Sequence, residues 1–382
     1  MIMPNQDKKR IVVIFGGRSG EHEVSLMSAR SVLSALDSDK YTVIQIGISH
    51  DGVWMVGEGL LDMMENGDYR SLKTATLLPD PTRRDLYLID NTENGEVLLS
   101  FSNMDVVFPV LHGTFGEDGT LQGLLELTEV AYVGAGVLGS SLAMDKGVFK
   151  DVMLANNIPV LDSLVVSRKQ IEKDSSKVIK SAEKISEYPI FVKPANMGSS
   201  VGITKCWSRS DLFEGLIEAA SFDRRILIER GFEAREIEVS VLGNEDPIAS
   251  VPGEIIPSRE FYSYEAKYID DDSELIIPAP ISEDLSLKVR EIAVQAYKAI
   301  DCAGMARVDF LLGKNTSEHN KQSGLFLNEI NTIPGFTKIS MYPKLWEASG
   351  FSYPELLDRL ILLALERKED RFRTERRYRR DD

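Results

Sequence analysis

The chain has 382 residues, of which 43% are hydrophobic and 27% are charged, values typical of a globular protein with two or three domains. The formal net charge of −16 argues against nucleic-acid and membrane partners, because those partners need broad basic surfaces; an anionic ligand therefore requires a local basic pocket. Cys206 and Cys302 are far apart and give no zinc site, which is typical of a reduced, cytoplasmic protein.

The first part of the chain alternates strands and helices. IVVIFGG predicts a strand, residues 23–36 predict a helix with one apolar face, and YTVIQIGIS predicts a second strand. The strand MDVVFPVLHG, the helix TLQGLLELTEV and the strand AYVGAG follow further on. This pattern predicts an α/β fold, with a Rossmann-like parallel sheet in a first domain of residues 1–134. Between residues 51 and 102, DLYLID and EVLLSF predict an antiparallel edge.

The rest of the chain predicts two smaller α+β domains. In residues 135–231, a helix over 140–156 precedes LDSLVVS, a polar helix, IFVKPAN, a glycine-serine loop, GITKCW, a helix and RRILIERG. Residues 232–382 begin with the strands REIEVSVLG and PIASVPGEII and a polar segment at 257–280. A helix over 285–300, two strands and one C-terminal helix follow. After Ala364, the many charges predict a frayed helix end or solvated tail, with partner binding as the alternative.

The glycine-serine loop lies in FVKPANMGSSVGI, residues 191–203. Loops of small residues let backbone N–H groups approach a phosphate. The lysine precedes the glycines here, whereas it follows them in a Walker loop. Lys193 at the end of a strand therefore predicts a point charge on the α- and β-phosphates of ATP, with the loop folded over the β- and γ-phosphates.

Two polar strands, ARVDFL and LFLNEIN, carry a second constellation. Period-2 alternation places Arg307 and Asp309 on one face, and likewise Glu329 and Asn331. An assumed antiparallel register pairs Asp309 with Glu329 and Arg307 with Asn331, with the apolar residues Val308, Phe310, Phe326 and Ile330 on the opposite side. Two carboxylates and an amide oxygen suit Mg²⁺, which would bridge the phosphates of ATP between two domains. A cross-strand salt bridge on a solvated face is the alternative.

Six blocks in the right order make the chain resemble the ATP-grasp superfamily and, within it, the D-alanine:D-alanine ligase family. These blocks are GGRSGEHEVS, HGTFGEDGTLQG, YVGAG with the following MDK, KPANMGSSVG, YEAKY and NEINTIPGFT. The resemblance covers nearly the whole chain. It implies a three-domain architecture in which two α+β domains clamp ATP.

The resemblance also implies the reaction. ATP phosphorylates the carboxylate of one D-alanine, the amine of a second attacks the acyl phosphate, and D-alanyl-D-alanine, a peptidoglycan precursor, is released. The implied phosphate-binding residues are Lys146, Lys193, Ser200 and Lys267. Asp309, Glu329 and Asn331 would hold two Mg²⁺ ions, with Mn²⁺ as a possible substitute.

Residues for the amino acids follow from the same motifs. Arg307 and the backbone N–H of Gly335 match the oxyanion donors of the family. The residues matching the site of the first D-alanine are Glu21, Ser199, Tyr268 and His112, and those matching the carboxylate site of the second are Ser340 and Met341. Taken alone, Glu21 could instead cap a helix, His112 could make a structural hydrogen bond, and Tyr268 could be an ordinary loop aromatic.

The nucleotide end is the least regular part of the resemblance. The motif ILIERGFEAREIEV places Glu229, Arg230 and Phe232 at the adenine and Glu236 at the ribose, and Phe261 is a candidate to cover the ring. Gly231 is a departure from some relatives, which have an aromatic residue there.

Three alternatives stay open. The acceptor could be D-lactate or D-serine, although Tyr268 and Met341 argue against D-lactate. IFGGRSG could be a dinucleotide-binding turn of an oxidoreductase, but its glycines do not fit G-x-G-x-x-G. The chain could also be a non-catalytic ATP-binding protein, against which the complete set of site residues argues. The family further suggests a homodimer.

Overall fold

The first sheet of the protein is mixed. The computed structural model describes residues 8–199, 201–256, 274–314 and 324–375. Eight strands lie in the order β6-β5-β4-β3-β2-β1-β7-β8. They are β1 (Lys9–Gly16), β2 (Tyr41–Ile48), β3 (Trp54–Val56), β4 (Lys73–Leu77), β5 (Asp85–Thr92), β6 (Gly95–Asn103), β7 (Val106–Pro109) and β8 (Ala131–Tyr132).

Only the half of this sheet around β1 is parallel. β1 pairs in parallel with β2 and β7, and β7 pairs in parallel with β8. From β2 outward to β6 every pairing is antiparallel, which confirms the predicted antiparallel edge and limits the predicted parallel sheet to four strands. Residues 11–15 of β1 are completely buried, as expected of a central parallel strand that is covered on both faces. The helices of this part are α1 (His22–Ala35), α2 (Leu60–Glu65) and α3 (Thr120–Thr128).

The second sheet is four-stranded and antiparallel, in the order β11-β10-β12-β9. Its strands are β9 (Ser163–Ser167), β10 (Ile190–Pro194), β11 (Thr204–Cys206) and β12 (Arg225–Arg230). The helices α6 (Arg168–Ala182) and α7 (Arg209–Phe222) pack on this sheet. The helices α4 (Val137–Met144) and α5 (Lys146–Ala155) precede it in the chain, and their buried apolar residues belong to the core of the third sheet.

The predicted single helix over 140–156 is wrong, because the chain forms two helices that meet at Asp145. Asp145 has extended backbone angles, and its carboxylate accepts hydrogen bonds from the N–H groups of Gly147 and Val148. An aspartate in this position ends one helix and caps the next. The break places Lys146 at the first turn of α5.

The third sheet is six-stranded, in the order β16-β15-β13-β17-β18 with β14 paired to β13. Its strands are β13 (Ala234–Gly243), β14 (Ile248–Ala249), β15 (Gly253–Ile256), β16 (Glu274–Ile276), β17 (Gly304–Gly313) and β18 (Leu325–Asn331). PIASVPGEII, predicted as one strand, is thus split into β14 and β15 around Pro252. The helices here are α8 (Glu283–Ala299), α9 (Met341–Ala348) and α10 (Tyr353–Phe372).

Two helices replace the single predicted C-terminal helix, and the second of them packs on the first sheet. α10 starts with a capping box between Ser352 and Glu355. Its residues Leu356, Leu357 and Leu360 share one core with Ile11 and Phe15 of β1. Strand β1 and helix α10, which lie near opposite ends of the described residues, therefore pack together.

The prediction of a frayed or solvated tail is wrong as far as Phe372, since α10 continues to that residue. The guanidinium of Arg367 lies over the Tyr132 ring and donates to the Gly134 carbonyl. Arg371 forms an ion pair with Glu126. In the part of the chain that the structure describes, no helix is long and apolar enough to cross a membrane.

Candidate active site

One cavity of about 1700 Å³ brings together residues from all three sheets and their connecting loops. Every predicted site residue within the described ranges lines it. These residues are Glu21, His112, Lys146, Lys193, Ser199, Glu229, Arg230, Phe232, Glu236, Arg307, Asp309, Glu329, Asn331, Gly335, Ser340 and Met341. Ser200, Phe261, Lys267 and Tyr268 lie outside the described residues. Motifs that are far apart in the sequence thus lie together at one site.

The strand pair β17–β18 forms one wall and confirms the predicted register. Asp309 lies opposite Glu329, and Arg307 lies opposite Asn331. The Arg307 guanidinium donates two hydrogen bonds to Asp309, at 2.8 and 2.7 Å, and the Asn331 amide donates a third at 2.9 Å. A cross-strand salt bridge does form here, between Arg307 and Glu238, but it lies on a face that lines the cavity.

One residue of this strand pair lies on the face opposite to the prediction. Val308, Phe310 and Ile330 are buried as expected. Phe326 is only partly buried, and its ring packs edge-to-face on Phe232 at a centroid distance of 5.1 Å. A register shift between Asp309 and Phe310 moves the first part of β18 by one residue, which reverses the faces that its side chains occupy.

The oxygens of this wall suit a hard cation. Asp309 and Glu329 are carboxylates on directly opposed residues, and Asn331 adds an amide oxygen. A carboxylate has about four lone-pair sites, so Asp309 can accept from Arg307 and still bind a metal. No three His, Cys, Asp or Glu side chains cluster as metal ligands among the described residues. The predicted set, whose third ligand is an asparagine, is compatible with that finding.

A second wall carries the phosphate lysines. Lys146 at the start of α5 donates to the Met197 carbonyl at 2.7 Å, and its ammonium lies 3.9 Å from the Glu329 carboxylate. Lys193 on β10 lies 2.5 Å from a carboxylate oxygen of Glu229. Both ammonium groups are therefore held at the cavity, next to the glycine-serine loop and the acidic wall.

Glu229, predicted at the adenine, has two ammonium partners. Its second carboxylate oxygen lies 2.5 Å from Lys150 of α5, a residue that sequence reasoning missed. Burial alone would raise the pKa of Glu229, but the charges of Lys193 and Lys150 lower it to about 2. Lys150 lies four residues after Lys146, one helical turn further along α5, and this spacing was the available signal.

The other adenine candidates form an aromatic and cationic cluster. The Arg230 guanidinium lies 5.5 Å from the centre of the Phe232 ring and 5.1 Å from that of Phe326. The structure explains why this chain has Gly231 where some relatives have an aromatic residue. A Cβ at this position would lie 2.3 Å from the Pro189 carbonyl oxygen, so no side chain fits there.

The opposite end of the cavity contains Glu21 and the glycine-serine loop. Glu21 is buried and accepts a hydrogen bond from the Ser199 hydroxyl. Its side chain makes no capping hydrogen bond to α1, so the helix-cap alternative is wrong. A Cβ on Gly198 would lie 2.8 Å from the Glu21 carboxylate, which shows how closely the loop approaches it.

His112 joins the first sheet to the loop that carries Gly335. One ring nitrogen donates to the Ile333 carbonyl at 2.9 Å, and the other is hydrogen-bonded to Ser28 at 2.9 Å. The Ser28 hydroxyl in turn accepts from the Phe336 N–H. Burial lowers the pKa of His112, so the ring is neutral. Both ring nitrogens have protein partners, which favours the structural alternative for this residue.

Comparison with known proteins agrees with this geometry. The family model described as D-ala D-ala ligase N-terminus matches residues 10–135, and that described as D-ala D-ala ligase C-terminus matches residues 152–362. The chain belongs to the D-Ala-D-Ala ligase family. A D-alanine–D-alanine ligase of Thermoanaerobacter sp. is 52% identical, over 96% of this chain and 99% of that one.

Solved structures of the D-Ala-D-Ala ligase family share the ATP-grasp fold with this chain. The D-alanine-D-alanine ligase from Coxiella burnetii is 35% identical, with a TM-score of 0.78 and 96% of each chain covered. The VanG D-Ala:D-Ser ligase from Enterococcus faecalis is 34% identical, with a TM-score of 0.80, covering 94% of this chain and 99% of that one. Fold likeness alone therefore does not distinguish the acceptors of the family.

The end where this family is expected to bind its second amino acid is built around the start of α9. Ser340 precedes that helix, and its hydroxyl accepts from the Thr337 N–H at 3.1 Å. A Cβ on Gly335 would lie 2.9 Å from the same hydroxyl. The Met341 side chain is buried against Ile255 and Leu345, so only its backbone N–H is suited to bind a carboxylate.

Two further acidic residues at the site were missed. Glu238 on β13 lies opposite Asp309 and 2.9 Å from the Arg307 guanidinium. The alternation of REIEVSV, which places Glu236 and Glu238 on one face, was its signal.

Glu117, in the HGTFGEDG block, accepts from the N–H groups of Gly113 and Ile333 at 2.6 and 3.2 Å. Burial and the nearby Glu21 raise the pKa of Glu117 to about 8. No spacing along the sequence indicated the contact with Ile333, because it joins residues that are 216 positions apart.

Proposed function

We propose that this protein joins two D-alanine molecules to D-alanyl-D-alanine, converting ATP to ADP and phosphate. The observation that carries the proposal is that the acidic residues of β17–β18, the lysines Lys146 and Lys193, and the residues expected to bind the amino acids all line one cavity. The 52% identity to a relative named D-alanine–D-alanine ligase supplies the substrate.

The first step needs a carboxylate and a γ-phosphate in contact. A carboxylate oxygen of the first D-alanine attacks the γ-phosphorus, which forms an acyl phosphate and releases ADP. Lys146 and Lys193 lie where they can bind the phosphates, and the family pattern adds Ser200 and Lys267. Arg230, Phe232 and Glu236, with Phe261 from the family pattern, would bind the nucleoside, while Glu229, which also lines the cavity, holds Lys193.

The carboxylate and amide oxygens of the acidic wall suit Mg²⁺. Asp309, Glu329 and Asn331 would hold two ions, and Mn²⁺ prefers the same oxygen ligands. When bound, the ions neutralise phosphate charge and fix the orientation of the phosphates.

The second step forms the peptide bond. The amine of the second D-alanine attacks the carbonyl carbon, and the tetrahedral intermediate expels phosphate while the nitrogen loses its proton. Arg307 and Gly335 line the cavity, and in this proposal the guanidinium and the Gly335 N–H stabilise the negative oxygen of this intermediate. Glu21 would hold the ammonium of the first D-alanine, with Ser199 and Tyr268 as its partners. Ser340 and the Met341 N–H would bind the carboxylate of the second.

D-Alanine is the preferred acceptor in this proposal, with D-serine as the second candidate. The 52% identical relative is named a D-alanine–D-alanine ligase, whereas the D-Ala:D-Ser ligase is 34% identical. A cytoplasmic homodimer that supplies a peptidoglycan precursor is proposed from the family resemblance alone.

Phosphate release from MgATP tests the function directly. We expect release with D-alanine and none with L-alanine or without an amino acid, together with one D-alanyl-D-alanine per phosphate by mass spectrometry. Mixtures of D-alanine with D-serine or D-lactate, across a range of pH, then measure acceptor preference. ATP binding without D-alanine-dependent release would reject the substrate assignment.

A further inference from the structure

Three charged side chains form a row that leads from the cavity into the protein. Glu229 separates Lys193 from Lys150, with 2.5 Å from one carboxylate oxygen to each ammonium. Glu229 and Lys150 are almost fully buried, with side chains 2% and 4% exposed, while that of Lys193 is 14% exposed. Lys150 also donates to the Leu161 carbonyl at 3.3 Å. The row thus runs from the protein interior to the cavity.

The two lysines differ in their access to a ligand. Lys193 and Glu229 line the cavity, whereas Lys150 is not among the lining residues. A buried carboxylate needs a nearby cation to remain ionised. One lysine satisfies that requirement, so the second leaves the row with a net positive charge. Since Lys150 lies inside, this charge is available at Lys193.

Charges outside the row also act on Lys193 and Lys150. These outside charges are the same in every variant that is compared below. Glu329 and Glu236 raise the pKa of Lys193 together with Glu229, against the effect of burial. Burial lowers the pKa of Lys150, and Glu229 and Asp162 oppose that shift while Lys193 adds to it. Glu329, Glu236 and Asp162 are the same in every variant, so a difference between variants reports on the row itself.

We propose that Lys150 is a positioning residue for ATP: by pairing with Glu229 it leaves the charge of Lys193 available to the phosphates, although it does not touch the nucleotide. This inference rests on the proposed function, in that the cavity takes ATP. Without Lys150, Lys193 and Glu229 become a neutral pair, and the phosphates must compete with Glu229 for Lys193.

The charge of the row can be changed and then restored. Lys150→Met removes one positive charge while keeping an unbranched side chain of similar length. Lys150→Met combined with Glu229→Gln removes the opposite charge as well, which returns the row to its original net charge. Lys150→Arg keeps the cation. Lys40→Met, which breaks an exposed ion pair with Asp358, is the matched control away from the cavity.

Calorimetric titration of each variant with MgATP and with adenosine tests the proposal. We expect Lys150→Met to weaken MgATP binding on the order of tenfold, the size of effect expected of one charge roughly 10 Å away at an effective dielectric constant of about 20. Adenosine binding should change less than about twofold, because adenosine carries no phosphate. Lys150→Arg and the double variant should recover most of the MgATP affinity, and Lys40→Met should match wild type.

Three results would overturn the inference. Unchanged MgATP affinity in Lys150→Met would mean that Lys150 contributes no charge to the site. Equal weakening of MgATP and adenosine would mean that Lys150 supports the shape of the wall. A double variant as weak as Lys150→Met would mean that the lost charge was not the cause. Melting temperatures of all variants separate these results from unfolding.

The proposed function is tested separately in the wild-type protein. D-Alanine-dependent phosphate release does not involve any of these variants. If wild type binds MgATP but does not ligate D-alanine, the proposed function fails while the role of Lys150 can still hold. If ligation occurs and Lys150→Met binds MgATP normally, only the inference fails.

Discussion

The two walls of the cavity differ in the sign of their excess charge. On the β17–β18 wall, the carboxylates of Asp309 and Glu238 share the guanidinium of Arg307, and Glu329 lies beside them. On the β10–β12 wall, Lys193 and Lys150 share the carboxylate of Glu229. One wall therefore has an excess of acidic groups and suits metal ions, while the other has an excess of basic groups and suits phosphates.

This difference shows how a protein with a net charge of −16 can offer a site for a polyphosphate. The excess positive charge is placed in a cavity, where Coulomb interactions are less screened than on the surface. The acidic wall lies opposite and attracts the metal ions that accompany a nucleotide. The predictions below remove one charge at a time from this arrangement.

Arg307→Ala should have the largest effect. The variant should bind MgATP but lose about 10²- to 10³-fold in turnover, the usual result of removing one oxyanion donor. It also leaves Glu238 and Asp309 facing each other without their cation, so the free energy of unfolding should fall by on the order of 3 kcal/mol. Single-turnover kinetics and denaturant unfolding measure the two effects.

A second substitution separates these effects. Glu238→Gln added to Arg307→Ala removes one of the two facing carboxylates, so stability should return while turnover stays low. Near-normal turnover in Arg307→Ala would exclude Arg307 from the oxyanion role. Recovery of turnover together with stability would mean that the acidic wall needs only a balanced charge.

Sequence periodicity predicted the acidic wall better than the basic one. The alternation in ARVDFL and LFLNEIN gave the pairing of Asp309 with Glu329, because residues two apart in a strand share a face. The register shift beyond Asp309 was not predictable in this way, and Phe326 therefore lies on the other face. The alternation of polar and apolar residues thus predicted the strand pairing correctly as far as the register shift.

The basic wall depends on contacts between elements distant in sequence. Lys150 on α5 and Glu229 on β12 are far apart in the sequence, so the helical spacing from Lys146 points to Lys150 but not to its pairing with Glu229. The break at Asp145, which gives α5 its start, was likewise missed because the apolar pattern runs through it. Motif resemblance supplied Lys193 and Glu229 as site residues but not their partnership.

Glu329→Gln should have a smaller effect than Arg307→Ala. Removing one ligand charge from the acidic wall should raise the Mg²⁺ concentration for half-maximal activity by about tenfold, since ligand charge sets the affinity of such sites. Activity measured against Mg²⁺ at fixed ATP checks this expectation. Glu254→Gln, on the same cavity but paired with Arg235, is the control and should leave the Mg²⁺ dependence unchanged. A shift of equal size in both variants would argue against Glu329 as a metal ligand.

Glu117→Gln should have the smallest effect of these substitutions. It tests whether a carboxyl group of the cavity that lacks a lysine partner is neutral. Glu229 is buried and Glu117 is partly buried, but Glu229 faces two lysines whereas Glu117 lies near Glu21. Burial and Glu21 raise the pKa of Glu117 from 4.5 to about 8, so at neutral pH the folded protein holds a proton there that the unfolded chain does not. The stability that this proton contributes must therefore fall as pH rises from about 4.5 to about 8.

The neutral amide of Glu117→Gln removes this dependence. The melting temperature of wild type relative to Glu117→Gln should fall by about 4 °C or more as pH rises through that range, since each kcal/mol shifts a protein by a few degrees. Parallel pH profiles of the two proteins would contradict this result. They would mean that the N–H groups of Gly113 and Ile333 keep Glu117 ionised. In that case the loop carrying Gly335 would be held by a charged carboxylate, and burial without a cation would not suffice to neutralise an acid in this cavity.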